Sequence, residues 1–503
     1  MFGVPGGGPN LDVVGAATAE GITFHLAHGE TAAAIMASTH ALLTATPTAA
    51  VSTRGPGATS VANGVAQATL DRYPLIAVTD TVPARDQARI PHQRLDQRAM
   101  FAPITKVSRT LGTDIDDDAV DQLIACAHAW PFGAVHLDYD VTARSVDAED
   151  AAPPAPVDEE SVERARRLLA GAERPLVIVG MEAAAIGDPI RATLEHFAVP
   201  VLTTYQAIGL VPTEGALHAG LFTNGALERA VLDAADVIVT VGLDLVEPIP
   251  AAWTCSAPVI RLSAEVQLDA YLPVTVDVVG DLVDTARRVL HDPTPWDEET
   301  AVALRESGRD SIRACESTTT FGPVRLVETV SAAIPVDATV TVDAGAHFLA
   351  IMPLWPATNP FDLLISNGLA TMGFAVPAAI GAAVARPLRP VVALVGDGGL
   401  GMTLAELETI GRLDLPITVV VFNDAALSLI EIKQREQHGG PQAVRYRETD
   451  FAAIARASGI GGTVVRTSAE LSAALDGDWW RPRLIDARID PSSYPALIST
   501  TRG

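Results

Sequence analysis

The sequence is poor in cysteine and in basic residues, and it contains no long apolar run. Only three cysteines occur among 503 residues, Cys126, Cys255 and Cys315. Their odd number and wide spacing exclude a disulfide framework and a cysteine metal site. We therefore expect the reducing environment of the cytoplasm.

Basic residues are far outnumbered by acidic ones. Lysine and arginine total 35 against 61 aspartates and glutamates, a formal charge of −26. Such a surface repels phosphate backbones and anionic lipid headgroups, so we expect no nucleic-acid or membrane partner. The longest apolar stretch, Gly373–Ala385, is too short to span a bilayer. The N-terminal MFGVPGGGPN lacks the basic and apolar regions of a signal peptide.

Two segments rich in proline and acid, 144–160 and 291–299, predict linkers because they lack hydrophobic periodicity. They divide the chain into 1–143, 161–290 and 300–503, close to the expected size of about 150 residues per domain. Each piece alternates short β-branched runs with helical patterns, which is typical of parallel sheets with crossover helices. The predicted fold class is therefore α/β, with three doubly wound parallel-sheet domains.

The most informative motif lies in the last piece, where strand 391–395 runs into GDGG at 396–399. The next predicted strand, 417–422, ends at Asn423. Asp397 and Asn423 should then lie at the carboxyl ends of successive parallel strands, where open α/β sheets bind ligands. A carboxylate, an amide oxygen and a backbone carbonyl suit Mg²⁺ that also binds phosphate oxygens. An ordinary turn in which glycine relieves strain is the alternative for this motif alone.

Other motifs occur in a specific order. The first piece contains FGVPGG, HGE, RGPGAT and HQRLD followed by PITK, and the last contains VDAGAH, GLATMGFAVPAAIGA and GDGGLGM. Along nearly the whole chain these motifs resemble thiamin-diphosphate-dependent enzymes, in particular the large subunit of acetolactate synthase. The resemblance implies a pyrimidine-binding, a middle and a diphosphate-binding domain, with thiamin diphosphate and Mg²⁺ as cofactors.

The resemblance also implies roles for two residues of the first domain. Glu30 matches the glutamate that hydrogen-bonds the cofactor's aminopyrimidine, and burial would raise the pKa of such an acid. Gln93 matches a glutamine near the substrate. Their alternatives are an acid stabilised by a helix N-terminus and a loop hydrogen bond.

Further roles fall in the last domain. Met372, followed by Gly373, matches the bulky residue that holds the cofactor bent, although a methionine there could simply fill the core. His347 matches a histidine that contacts the diphosphate, with a plain buried histidine as its alternative. The remaining matches are diphosphate contacts at Gly396, Gly398 and Gly399, and metal ligands at Asp397, Asn423 and the carbonyl of Ala425.

The match weakens in two places. Flavin-containing members of the family have a glycine-rich turn and an arginine in the middle domain, whereas this chain has GMEAAA at 180–185 and GLDLVEPIP at 242–250. We therefore expect no FAD. The family also places a helix before FGVPGG, so we expect that an N-terminal helix is missing.

The resemblance implies decarboxylation of a 2-oxo acid, pyruvate in the first instance, with transfer of the acyl unit to a carbonyl acceptor. Simple decarboxylation, another acyloin-forming lyase and a carboxyethylarginine-synthase-like transferase stay open, as does a catalytically silent paralogue that only binds cofactor. A homodimer or homotetramer is implied, with the apolar 373–385 helix packed against a neighbouring subunit.

Overall fold

The computed structural model describes residues 1–86, 89–112, 117–140, 157–249, 251–267, 272–291, 298–438 and 440–503. These residues form three six-stranded sheets in which every pairing between strands is parallel, as the sequence predicted. Most of both predicted linkers lies outside the described residues, so the domain boundaries stay predictions.

The first sheet has the strand order β2-β1-β3-β4-β6-β5. Its strands are β1 (Phe2–Val4), β2 (His25–Leu26), β3 (Ala49–Ser52), β4 (Leu75–Asp80), β5 (Val107–Leu111) and β6 (Ala134–Tyr139). Its helices are α1 (Asn10–Ala19), α2 (Glu30–Thr44), α3 (Pro56–Leu70), α4 (Gln97–Phe101) and α5 (Asp117–His128). We call these elements the first unit.

The middle sheet has the order β12-β11-β10-β7-β8-β9. Its strands are β7 (Pro175–Val179), β8 (Val201–Thr203), β9 (His218–Leu221), β10 (Val237–Val241), β11 (Val259–Ser263) and β12 (Val274–Val279). Its helices are α6 (Glu159–Ala170), α7 (Met181–Ile186), α8 (Asp188–Phe197), α9 (Arg229–Ala234) and α10 (Leu282–Val289). These elements form the middle unit.

The third sheet, in the order β14-β13-β15-β16-β18-β17, repeats the topology of the first. Its strands are β13 (Thr339–Val342), β14 (Leu363–Ile365), β15 (Val391–Gly396), β16 (Ile417–Asn423), β17 (Gly461–Val465) and β18 (Arg483–Arg488). Helices α11 (Glu298–Arg313), α12 (Pro323–Ala333), α13 (Phe348–Leu354), α14 (Ala375–Ala385) and α15 (Asp397–Met402) come first. Then follow α16 (Glu406–Arg412), α17 (Ser428–His438), α18 (Phe451–Ala457), α19 (Ser468–Leu475) and α20 (Tyr494–Arg502). Together they form the third unit.

Helices α2 and α14 join the first and third units within one chain. A Cβ added to Gly381 of α14 would approach the Met36 carbonyl oxygen of α2 to 2.4 Å, so glycine allows the two backbones to touch. Residues Ala375–Ala383 of α14 are buried between α2 and the strands of the third sheet. The expectation that this helix packs against a neighbouring subunit is therefore wrong, because α2 of the same chain already covers it.

No described helix has the length and apolar character needed to cross a membrane. The thiols of Cys126, Cys255 and Cys315 are all unpaired.

Candidate active site

Two neighbouring strands bring Asp397 and Asn423 together. In the register of β15 and β16, Gly396 pairs with Phe422, so the residues that follow them, Asp397 at the start of α15 and Asn423 at the end of β16, lie beside each other. The strand pattern predicted this arrangement, because parallel strands end at the same edge.

Asp397 presents an unsatisfied oxygen at this edge. Its Oδ1 accepts a hydrogen bond from the Gly398 N–H at 2.6 Å. Its Oδ2 is buried without a hydrogen-bond partner among the described residues. Burial, and then the neighbouring carboxylate of Asp424, raise the pKa of Asp397 to about 7. A bound cation would stabilise the ionised form against both effects.

The side chain of Asn423 is held in place by two hydrogen bonds that its amide nitrogen donates. The Nδ2 atom donates to Asp486 Oδ1 at 2.8 Å and to the Thr449 carbonyl at 3.2 Å. Because the nitrogen is fixed in this way, the side-chain oxygen is the atom that could bind a cation. No cluster of three or more His, Cys, Asp or Glu suited to a metal occurs in the described part of the chain. A metal here would therefore depend on Asp397, Asn423 and oxygens from a ligand.

The two residues after Asn423 stabilise the loop. Asp424 accepts hydrogen bonds from the Ser428 hydroxyl and, at 3.2 Å, from the Ala426 N–H. Ala425 has a φ of 58°, and its carbonyl accepts the Tyr446 N–H at 2.8 Å. This carbonyl already has one protein donor, so its metal contact stays a prediction.

Glycine is required at Gly399 by a close contact with Asp343. A Cβ at this position would approach Asp343 Oδ2 to 1.7 Å. Asp343 is fully buried, and its carboxylate accepts the N–H groups of Gly373 and Phe374 at 3.0 and 2.8 Å. Burial raises the pKa of Asp343 to about 6, against the opposing effect of these hydrogen bonds.

The segment 366–373, which carries Met372, is fixed at both ends by buried carboxylates. Asp343 holds Gly373, as described above, and Asp71 of the first unit accepts the Gly368 N–H at 2.6 Å and the Leu369 N–H at 3.3 Å. The Met372 Cε atom lies 3.4 Å from the position that a Gly398 Cβ would occupy. Met372 and the glycine motif therefore line the same space.

His347 also lines that space, beside Gly396. Its ring stacks on Phe422 with 5.1 Å between centroids, and burial lowers its pKa to about 4, so it is neutral. Its Nε2 atom is buried without a hydrogen-bond partner in the described ranges.

These groups line a cavity of about 250 Å³, slightly below the range of about 300–1,000 Å³ typical of small-molecule sites. Polar residues at its wall include His347, Asp397, Asp424 and Tyr494. Burial, and then Asp424 and Asp397, raise the pKa of Tyr494 well above its ordinary value, so the phenol is neutral. A second cavity, of about 360 Å³, shares Asp397 and Gly398 with the first and is also lined by Asn423.

Glu30 lines neither cavity. It is half-buried at the first position of α2, so the expectation of a buried acid is not met within one chain. The N–H groups of His28 and Gly29 donate to Glu406 Oε1 at 3.0 and 3.1 Å. The third unit of the same chain thus holds the two residues that precede α2.

Gln93 is also absent from the walls of both cavities. It has a left-handed φ of 56° and lies against Gly55, whose added Cβ would approach the Gln93 Cβ to 2.8 Å. The buried Gln97, which the sequence argument missed, holds this turn. Its Oε1 accepts the Gly55 N–H at 3.0 Å, and its Nε2 donates to Asp138 at 2.6 Å.

In the middle unit, the protein's own Glu247 fills the crevice between β7 and β10. Its carboxyl group accepts the Met181 N–H at 3.0 Å, the Asp244 N–H at 2.8 Å and the Thr204 hydroxyl at 2.5 Å. The strand order changes direction at this point, which is where such sheets bind ligands. Glu247 therefore uses the backbone donors that a phosphate group would need.

Comparison with known proteins adds a second line of evidence. Family models for thiamine pyrophosphate enzymes match the chain as the N-terminal TPP binding domain over 1–100, the central domain over 162–289 and the C-terminal TPP binding domain over 343–486. The acetolactate synthase of Bacillus subtilis (strain 168) is 30% identical, over 99% of this chain and 92% of that protein. The chain belongs to the thiamine pyrophosphate enzyme family.

Two further relatives in this family differ in their named activity. Acetolactate synthase isozyme 1 large subunit of Escherichia coli (strain K12) is 28% identical over 99% of this chain and 92% of its own length. A probable 2-ketoarginine decarboxylase of Pseudomonas aeruginosa is 30% identical over 91% of this chain and 85% of its own length. Thiamine pyrophosphate is another name for thiamin diphosphate. The three matched domains and these relatives show that this chain is a thiamin-diphosphate-dependent enzyme of the transferase or lyase kind.

The third unit fits the family's cofactor on its own chemistry. The unpartnered Asp397 Oδ2 suits a cation, and the glycines at 396, 398 and 399 line the cavity beside it. The unpartnered His347 Nε2 lies at the same cavity.

Proposed function

We propose that the enzyme decarboxylates a 2-oxo acid, pyruvate in the first instance, and transfers the acyl unit to a carbonyl acceptor. The observation that supports this reaction most directly is the likeness to acetolactate synthases over 99% of the chain. The cavity beside Asp397 would receive the diphosphate end of the cofactor.

Asp397 and Asn423 would bind Mg²⁺, the backbone of 396–399 would face the diphosphate, and Met372 would support the bend between the cofactor's rings. When bound, thiamin diphosphate supplies the carbon that adds to the 2-oxo group and the electron sink for loss of CO₂. Glu30 would hold a proton at N1′ of the pyrimidine. Leu427, Leu429 and Ile430 line the cavity, and none of the described residues at its wall carries a positive charge. Such a lining solvates a carboxylate poorly, which favours its loss as CO₂.

The active unit is at least a homodimer, and a homotetramer is the alternative assembly. Glu30 lines neither cavity of its own chain, so its contact with the cofactor needs a second copy. Large apolar side chains are exposed on the first and third units, and a second copy would cover them: Leu11, Ile22, Leu26, Leu95, Met402, Ile430 and Tyr446.

The enzyme works without FAD. Glu247 already takes the backbone donors at the middle sheet's crevice, and a Cβ at Gly180 would come within 2.5 Å of its Oε2 atom, so the site is filled. Extraction of the purified protein should release no flavin.

A second candidate is decarboxylation without an acyl acceptor, which the similarity to a probable 2-ketoarginine decarboxylase favours. A panel of 2-oxo acids, with CO₂ release followed and products identified by mass spectrometry, separates the two reactions. A product that joins two acyl units supports transfer, whereas an aldehyde alone supports decarboxylation. Absence of CO₂ release from every 2-oxo acid would overturn both.

A further inference from the structure

Tyr494 is a buried polar residue of the cavity to which no role has been assigned. It begins the last helix, α20, and lies outside the segment 343–486 that matches the C-terminal TPP binding domain. Its side chain is only 3% exposed and lines the same cavity as Asp397 and His347. The phenol makes no hydrogen bond to any residue that the structure describes.

Two polar atoms at this cavity, Asp397 Oδ2 and His347 Nε2, are buried without a partner among the described residues, and the Tyr494 hydroxyl at the same wall makes no hydrogen bond to them. Buried polar groups are almost always hydrogen-bonded in proteins, so such a set indicates the position of a polar ligand. A phenol donates its proton readily to an anionic oxygen, and its charged neighbours here are the carboxylates of Asp424, Asp397 and Glu316. A metal ion with its phosphate oxygens is the ligand that satisfies all three groups.

We propose that the Tyr494 hydroxyl donates a hydrogen bond to the diphosphate of the cofactor, which makes α20 part of the cofactor site. The inference rests on the proposed position of the diphosphate beside Asp397. The phenol supplies a neutral donor at a wall where none of the described residues carries a positive charge.

Tyr494→Phe tests the proposal, since it removes only a hydroxyl that has no protein partner. Calorimetric titration of the apo-protein at saturating Mg²⁺ should show thiamin diphosphate bound at least about tenfold more weakly, as for a hydrogen bond to a charged group. The affinity of the variant for inorganic diphosphate in the presence of Mg²⁺ should fall by a similar factor. Tyr205→Phe is the matched control and should bind both probes like wild type, because Tyr205 is a half-buried phenol that packs on Phe348 and does not line the cavity.

The outcomes separate the proposals. Equal affinity of Tyr494→Phe and wild type for both probes overturns the contact. Weaker thiamin diphosphate with unchanged inorganic diphosphate places the hydroxyl elsewhere on the cofactor and overturns it as well. A raised KM for the 2-oxo acid with unchanged cofactor affinity makes Tyr494 a substrate contact instead. Failure of the wild type to bind either probe counts against the diphosphate site itself.

Discussion

Asp343 and Gly399 are in contact so close that no other residue fits at the glycine. A Cβ on Gly399 would approach Asp343 Oδ2 to 1.7 Å, and the same carboxylate holds the N–H groups of Gly373 and Phe374. A side chain at position 399 would therefore displace both Asp343 and the segment that carries Met372.

Gly399→Ala should destabilise the protein by about 1–3 kcal/mol, the usual effect of overpacking a buried contact. It should also abolish the rise in melting temperature on addition of Mg²⁺ and thiamin diphosphate. Gly401→Ala is the control, because a Cβ there meets no atom within 4 Å and alanine favours the helix. Similar melting curves for the two variants would contradict the packing argument.

Asp397→Ala should remove the cofactor-dependent rise in melting temperature. A ligand that binds only the folded state stabilises it by mass action, and this variant lacks the carboxylate expected to bind the metal. Asp476→Ala, an exposed acid of the third unit, should keep the rise. An unchanged response of Asp397→Ala would refute the metal assignment.

Glu30→Gln should retain cofactor binding but lose turnover by about 10²–10⁴-fold, the range for a positioned acid or base. Deuterium exchange at the cofactor's C2 carbon, followed by NMR, should slow in parallel. Glu20→Gln removes an exposed charge at the end of α1 and should leave both rates unchanged. Exchange at the wild-type rate in Glu30→Gln would show that another group activates the cofactor.

Mixed subunits test whether two chains build each site. Glu30→Gln and Asp397→Ala chains should each be inactive, and co-refolding them should restore partial activity. In a mixed dimer one site would receive a wild-type Glu30 and a wild-type Asp397 from different chains. Persistent inactivity in proven heterodimers would place each site within one chain.

The stability of the middle unit should depend on pH through Glu247. Burial raises the pKa of this group from 4.5 to about 8. Because the folded state holds the proton more tightly, the stability it contributes is present below about pH 4.5 and declines as the pH rises to about 8. Glu247→Gln should lose this slope in denaturant melts, whereas Glu163→Gln, at an exposed site, should retain it. Parallel pH profiles of wild type and Glu247→Gln would count against the shift.

The sequence predicted the sheets and the pairing of Asp397 with Asn423 because both depend on local patterns. Buried β-branched runs specify parallel strands, and parallel strands place their carboxyl ends together. The glycine-rich turn that follows β15 could be predicted for the same reason, because it also depends on local sequence.

Contacts between distant segments were not visible. Asp71 binds the Gly368 N–H across 297 positions, and nothing in its local sequence points to that partner. Likewise, the small residues of α14 predicted close packing but not the partner, which is α2 of the same chain. Glu30 illustrates a third limit: its motif indicates a cofactor contact, yet one chain leaves it half-buried.

Glu247 acts in the middle unit as a ligand tethered to its own receptor. A tethered group has a fixed local concentration that no cellular metabolite changes. The occupancy of the crevice between β7 and β10 by Glu247 therefore does not depend on the concentration of any metabolite. The third unit, in contrast, should gain further stability when its cofactor binds. A shortage of thiamin would accordingly lower the stability of the third unit and leave the stability of the middle unit unchanged.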